Sequence, residues 1–416
     1  MTLLIFQMAI VLGMSLVCGR IARRLGQATV IGEIVGGILI GPSVLGRIAP
    51  SVATHVFPQS SLGSLDVLST VGLVLFLFLI GSELDYEHLH QQKATAALAS
   101  ILSIVVPFGM AVLSTPLLRE RFSAGGIGPL PFTLFLGVSM SITAVPVLAR
   151  ILEERRMQSS VLGATALMCA AVNDVVAWML LAVAMTLVPS ADAAMPSSYR
   201  LLWLGAYLFV MLVVLRPLGI WLAKRHTSAT LSYELLGIIL ALVLVSAALT
   251  DAIGVHPLFG AFLAGLCFPR VKAWQTALRT RLDVIVSLLL LPLFFALTGM
   301  RTRLDLLSDS RIWVWTLFVL LLAVAGKMGG AIIAGRWTGQ GWRASMALGA
   351  LLNTRGLVEL IVLNIAYNAH VFSPTLFTIL VVMALLTTAM TTPILNWLKV
   401  GTAQTTTQDL TLLHVQ

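Results

Sequence analysis

Charge is scarce in this chain: Lys, Arg, Asp and Glu make up 10% of its 416 residues, while 58% are hydrophobic. Soluble domains average about 25% charged and 45–50% apolar residues, so there is too little polar surface here to cover a globule in water. The shortage excludes a soluble enzyme, a nucleic-acid binder and a receptor with a large cytoplasmic module. Cysteine is nearly absent. Cys18, Cys169 and Cys267 each lie in an apolar stretch without paired spacing and read as small packing residues, not as a disulfide framework or a zinc site. The 7 histidines form no HExxH or other strong metal cluster, and neither GxSxG nor GxxxxGK[ST] occurs. These gaps argue against a membrane-embedded hydrolase and an ATP-driven pump, and a TVGYG potassium filter is missing too. No cofactor is expected.

What remains is an all-α polytopic membrane protein with a mean hydropathy of +0.99. About 20 apolar residues are needed per spanning helix. Apolar runs between charged or Pro/Gly-rich breaks give about thirteen candidate transmembrane helices, at roughly 2–19, 29–46, 64–82, 94–117, 130–149, 159–188, 201–222, 231–250, 254–269, 283–300, 312–335, 344–368 and 373–398. The N-terminal MTLLIFQMAIVLGMSLVCGR has no basic residue before its apolar run, and Arg20, Arg23 and Arg24 follow it. A cleavable signal peptide carries its charge the other way round, so this reads as a retained first helix with the N-terminus outside. The net charge of +9 fits the same picture. Most Lys and Arg, including Arg150, Arg155, Arg156, Lys224 and Arg225, fall in loops on the face opposite the N-terminus. Fewer, such as Arg47, Arg119, Arg121 and Arg200, fall on the other face. With an odd number of spans the C-terminus is expected to be cytoplasmic.

A weak internal echo links each span to the one seven places later. GEIVGGILIGPSVLG in span two resembles GVHPLFGAFLAGLCFP in span nine, both short and glycine-rich. LFLFLIGSELD and LPLFFALTGMRTRLD then close spans three and ten. An odd offset turns the second copy over in the bilayer, giving the inverted repeats typical of secondary transporters. The same offset pairs span five, SMSITAVPVLAR, with span twelve, GALLNTRGLVELIVLNIA. The first is interrupted by Pro146 and the second by Thr354-Arg355-Gly356. Such breaks free backbone polar groups at membrane depth, which is tolerated where they line a cavity or are buried in protein. A Pro kink and a Gly packing contact are the plainer readings.

Five ionisable residues lie inside spans: Glu33, Asp174, Lys327, Arg355 and Glu359. A charge at the bilayer centre costs at least about 2.5–3.5 kcal/mol, so each needs a partner, water or a role. Asp174 sits near the middle of GATALMCAAVNDVVAWMLLAVAMTL with only Asn173 as a polar neighbour. There the bare anion is penalised, and the carboxylate can exchange a proton for a cation; the alternative is a permanent ion pair with a basic residue. Lys327 can pair with the Asn173/Asp174 region, cap the carbonyl end of a broken helix, or take part in proton exchange. Arg355 and Glu359 stand four apart on one helix face, so they neutralise each other unless Arg355 instead faces the ion cavity. Glu33 is open between a structural role and an ion entrance.

GEIVGGILIGPSVLG, SITAVPVLARILEE, AAVNDVVAWMLLA, LPLFFALTGMRT and NTRGLVELIVLNIA, in this order, resemble the monovalent cation:proton antiporter superfamily. The branch most similar is that of the Kef-type and plant cation/H+ exchangers (CHX-like), and the likeness runs over nearly the whole chain. It implies the Na+/H+ antiporter fold with two crossed broken helices, and a homodimer. The exchanger domain would cover 1–400, with core helices at about 64–188 and 283–368 and scaffold or dimerisation helices at about 2–46, 231–269 and 373–398. A linker helix would occupy about 201–222. Residues 401–416 would form a short disordered cytoplasmic tail where these relatives commonly carry a regulatory domain.

By the same resemblance, Asp174 is the cation and proton carrier, Asn173 supplies an amide or orients the site, and Thr143 lends a hydroxyl or carbonyl. Lys327, Arg355 and Glu359 match the family's core counter-charges, and Arg355 stands where relatives often have lysine. Arginine does not deprotonate, which weighs against proton carriage at that position. The function implied is secondary active exchange of K+ or Na+ for H+ across the lipid bilayer, electroneutral because the motif holds one carboxylate. Two rivals are a cation channel or uniporter on the same scaffold and a sodium-coupled organic anion symporter.

Overall fold

In a computed structural model the described residues are 2–83, 93–157, 160–188, 197–225 and 231–401. Among them the chain is helical, without strands beyond an isolated bridge between Ser123 and Phe372. In chain order the helices begin with α1 (Thr2–Arg24), α2 (Thr29–Ile40), α3 (Leu45–Ile48), α4 (Pro50–Val56), α5 (Gln59–Glu83) and α6 (Lys93–Phe122). Then come α7 (Pro129–Ser141), α8 (Val145–Glu154), α9 (Val161–Thr186), α10 (Ser197–Phe209), α11 (Arg216–Arg225), α12 (Tyr233–Ala252) and α13 (Pro257–Cys267). The last are α14 (Lys272–Ile285), α15 (Leu291–Arg301), α16 (Ser310–Trp337), α17 (Trp342–Leu352), α18 (Leu357–Asn368) and α19 (Pro374–Trp397). Short π-helical segments join α10 to α11 and α14 to α15. Helices are what such apolar runs must form, because lipid offers the backbone no hydrogen-bond partners.

The protein is a multi-pass integral membrane protein, but the expected count of thirteen spans is not confirmed. Among the described residues 10 helices are long and apolar enough to cross a membrane, or 11 if α17 and α18 form one bent span. All thirteen apolar runs fall on helix; the shortfall comes from length. The run at 254–269 yields the 11 residues of α13, and the run at 130–149 divides into α7 and α8. At 1.5 Å per residue neither α13 nor α7 alone covers a hydrocarbon core of about 30 Å.

The chain forms two compact units. The first comprises Met1–Arg20, Gly32–Tyr86 and Ala182–Arg303. Small residues set its packing: a methyl group at Gly37 would run into the backbone of Ala296, and one at Gly299 into that of Ile34, so α2 and α15 touch through their main chains. The same exchange recurs where Gly265 of α13 meets Phe78 and Gly81 of α5 meets Phe262. These contacts join spans two with ten and nine with three, the pairing that an inverted repeat with an offset of seven requires.

The second unit comprises Ile21–Ile31, Glu87–Leu181 and Leu304–Gln416. In it α6 lies along α16, with Gly326 against Pro107 and Gly330 against the Leu102 backbone. The compact units divide the chain differently from the expected core and scaffold segments. The helices at 59–83 and 272–301 belong to the first unit, held there by their glycine contacts. Helix α19 belongs to the second, because Thr388 and Thr391 bond the backbone of the α17–α18 region.

Candidate ion site at the crossed helix breaks

The second unit contains two interrupted helices whose breaks meet. The α7–α8 break covers residues 142–144, and the α17–α18 break covers 353–356 with a bend of 44°. Residues at a break lose their intrahelical partners, so their polar groups must be satisfied from elsewhere. Here each break serves the other: Thr143 Oγ1 donates to Leu352 O at 2.8 Å, and the Ala144 N–H donates to Thr354 O at 2.9 Å. Gly356 permits the approach, since a Cβ there would lie 2.8 Å from Val147 Cγ2 and 3.2 Å from Ala144 Cβ. Thr388 of α19 clamps the second break, accepting from the Arg355 N–H at 3.0 Å and donating to Arg355 O at 2.7 Å.

The C-terminal end of α7 exposes carbonyls with negative partial charge, and two cations occupy it. Arg355 donates to Ser139 O at 2.7 Å and to Met140 O at 2.9 Å, and it pairs with Glu359 Oε1 at 3.0 Å. Both side chains of that pair are fully buried. Lys327 donates to Ser103 O at 3.0 Å and also to Ser141 O. Its third acceptor is the Asn173 amide oxygen at 3.0 Å, with the carboxamide oriented so that donors meet acceptors. That oxygen also accepts from Ser103 Oγ at 3.1 Å, while the amide nitrogen donates to Ser100 O at 3.3 Å and Cys169 O at 3.2 Å. An ammonium group has three N–H donors, and all three are engaged here.

Asp174 is incompletely satisfied in this network, and Arg355 Nε and Glu359 Oε2 likewise lack a hydrogen-bond partner among the described residues. Asp174 is 1% exposed, and its Oδ1 is buried with no hydrogen-bond partner among the described residues. No ion pair joins it to Lys327 among the described residues. A carboxylate shielded from water and without a fixed counter-ion is completed by a proton or by a metal cation.

A family model described as "Sodium/hydrogen exchanger, transmembrane" matches residues 11–398. The chain belongs to the sodium/hydrogen exchanger family. The chain is 38% identical to Na(+)/H(+) antiporter NhaS4 of Synechocystis sp. over 394 residues, covering 94% of this chain and 96% of that one. It is 39% identical to Cation/H(+) antiporter 19 of Arabidopsis thaliana, over 94% of this chain and 49% of the relative. Identity to K(+)/H(+) antiporter 1 of Saccharomyces cerevisiae is 33%, over 95% of this chain and 46% of the relative. The chain therefore spans about half the length of the plant and yeast proteins. Its fold matches that of the sodium proton antiporter MjNhaP1 from Methanocaldococcus jannaschii, with a TM-score of 0.67, 14% identity and 96% coverage of both chains.

Of the residues singled out in the sequence, Asn173, Thr143, Lys327, Arg355 and Glu359 join one connected network beside Asp174, through Ser103, the α7 carbonyls and the paired breaks. Glu33 lies half-buried on α2 in the first unit. Sequence reasoning missed Ser103, whose hydroxyl and carbonyl connect α6 to Asn173 and Lys327. It also missed the α19 threonines; the polar string TTAMTT inside an apolar run was the available signal. Asn353, within NTRG, was passed over as well.

Proposed function

We propose that this protein carries protons against a monovalent cation, K+ or Na+, by alternating access, with Asp174 as the shared carrier. The observation that carries this reading is the buried, unpartnered Oδ1 of Asp174 beside a lysine whose donors are all engaged elsewhere. A partly dehydrated cation binds the carboxylate, with hydroxyl and carbonyl oxygens such as those around Thr143 completing its shell; protonation releases it. Because cation and proton compete for one carboxylate, and because Lys327 and Arg355 act as fixed counter-charges to the α7 carbonyls, exchange is one-for-one and electroneutral. The relatives named for Na+ and for K+ together support the substrate class.

The second compact unit, which contains both breaks, acts as the moving core, and the first serves as scaffold and homodimer surface. The charge distribution of the loops supports an outside N-terminus and a cytoplasmic C-terminus. The test uses proteoliposomes with an entrapped pH dye: adding K+ or Na+ drives proton movement in the wild type, and Asp174→Asn abolishes it. An active Asp174→Asn variant overturns the carrier assignment. Current without proton coupling would instead identify a channel, and Na+-driven uptake of an organic anion a symporter.

A further inference from the structure

The two half-helix ends at the crossing are satisfied in different ways. At α7 the last carbonyls are held by the charged groups of Arg355 and Lys327. At α17 the corresponding carbonyls are met by neutral donors alone among the described residues: Thr143 on Leu352 O, Thr391 on Ala350 O and the Thr354 N–H on Leu351 O. The negative end of the α17 dipole is thus left without a fixed positive charge.

At that end sits Asn353, the residue following the carbonyl that Thr143 engages. Its backbone N–H bonds Gly349 O at 3.0 Å, but neither Oδ1 nor Nδ2 of its side chain has a hydrogen-bond partner among the described residues, although the residue is 1% exposed. The other two polar side chains of the break are partnered, Thr354 with Thr391 and Arg355 with Glu359. A buried carboxamide with no partner at either end is rare and calls for a ligand, an ion or water. An amide oxygen is a hard, neutral donor suited to an alkali cation, and it adds no charge that would disturb one-for-one exchange with a proton.

We propose that the Asn353 carboxamide oxygen contacts the partly dehydrated cation on its way to or from Asp174 and contributes to the choice between Na+ and K+. The inference rests on the antiporter reading above. Selectivity among alkali cations depends on the number and field strength of the oxygens around them, so loss of this oxygen changes the two affinities unequally.

The experiment uses the full chain in proteoliposomes, with apparent KM and maximal rate read for Na+ and K+ separately and thermal melting measured in parallel. Asn353→Ala is expected to raise the apparent KM of the transported cation by about tenfold and to alter the Na+/K+ ratio. Its melting temperature is expected to equal or exceed that of the wild type, because an unpartnered buried amide is removed. Asn353→Thr, which restores an oxygen, is expected to lie between the two in KM. Unchanged KM values and ratio in either variant overturn the proposal, as does a drop in melting temperature and rate at constant KM, which marks a structural amide. If Asn353→Ala does not fold, Asn353→Thr alone carries the same criterion. A wild type without cation-driven proton flux, or an active Asp174→Asn, overturns the antiporter reading itself. With those two controls as expected, a silent Asn353 variant overturns this inference alone.

Discussion

The hydroxyl of Thr143 donates to the carbonyl oxygen of Leu352 at 2.8 Å, joining residues 209 positions apart in the chain. This bond links the α7–α8 break to the end of α17, so that each interrupted helix supplies the partner the other lacks. A loss at either position therefore affects both breaks.

Thr143→Val preserves the shape of the side chain and removes the donor, leaving the Leu352 carbonyl buried and unpaired. A destabilisation of about 1–3 kcal/mol is expected, visible as a lower melting temperature in detergent, together with slower exchange. Thr143→Ser keeps the donor and should remain close to the wild type. Equal melting of the valine variant would show that the inter-break bond contributes nothing.

Lys327 is fully buried and bonds three acceptors. Replacing it with methionine removes a donor from the Ser103 and Ser141 carbonyls and leaves the Asn173 oxygen with the Ser103 hydroxyl alone. Truncating one partner of a buried charged network costs about 3–5 kcal/mol, so Lys327→Met should be poorly stable. Lys327→Arg keeps a charge that does not titrate. It should exchange cations for protons with rates independent of imposed voltage, as in the wild type. A voltage-driven wild type that loses this dependence in Lys327→Arg would make Lys327 a proton carrier.

Arg355 and Glu359 form a fully buried pair at 3.0 Å. Arg355→Ala strands Glu359 and releases two α7 carbonyls, so a loss of about 3–5 kcal/mol is expected. Adding Glu359→Ala should recover part of it, with a coupling energy of about 0.5–3 kcal/mol in a double-mutant cycle of melting data. Strict additivity would show that the two groups act independently. Arg355→Lys keeps the charge but cannot reach both carbonyls and Glu359 with a planar fork, so an intermediate stability is expected.

Gly356 is expected to reject a side chain because of the neighbouring break. Gly356→Ala would bring its methyl to 2.8 Å from Val147 Cγ2. Reduced stability and exchange should follow, and Val147→Ala in the same chain should restore both in part. Failure of this rescue, read by melting temperature, would place the strain elsewhere.

Much of the site was legible before folding because the bilayer makes buried charge conspicuous. Asp174, Lys327, Arg355 and Glu359 stand out in apolar runs, and NTRG marks a break by local rules alone. The capping role of Lys327 was among the roles read from sequence; that its third bond goes to Asn173, not to Asp174, was not. Ser103 could not be recognised, since one serine in an apolar helix usually bonds its own backbone. Thr388 and Thr391 read as neutral helix residues until α19 is set against α17 and α18.

The sequence by itself determined the membrane class, the positions of the apolar runs, the two breaks and the handful of intramembrane charges, because these follow from hydropathy and from local backbone rules. The family likeness visible in its motifs agrees with this. The tertiary structure alone decided how many runs are long enough to span, which glycines bring helices together, and which buried polar groups are partnered. Those outcomes depend on neighbours distant in the chain. That is why Thr143 finds Leu352 and Lys327 finds Ser141, while Asp174 is left with an oxygen that no described residue satisfies.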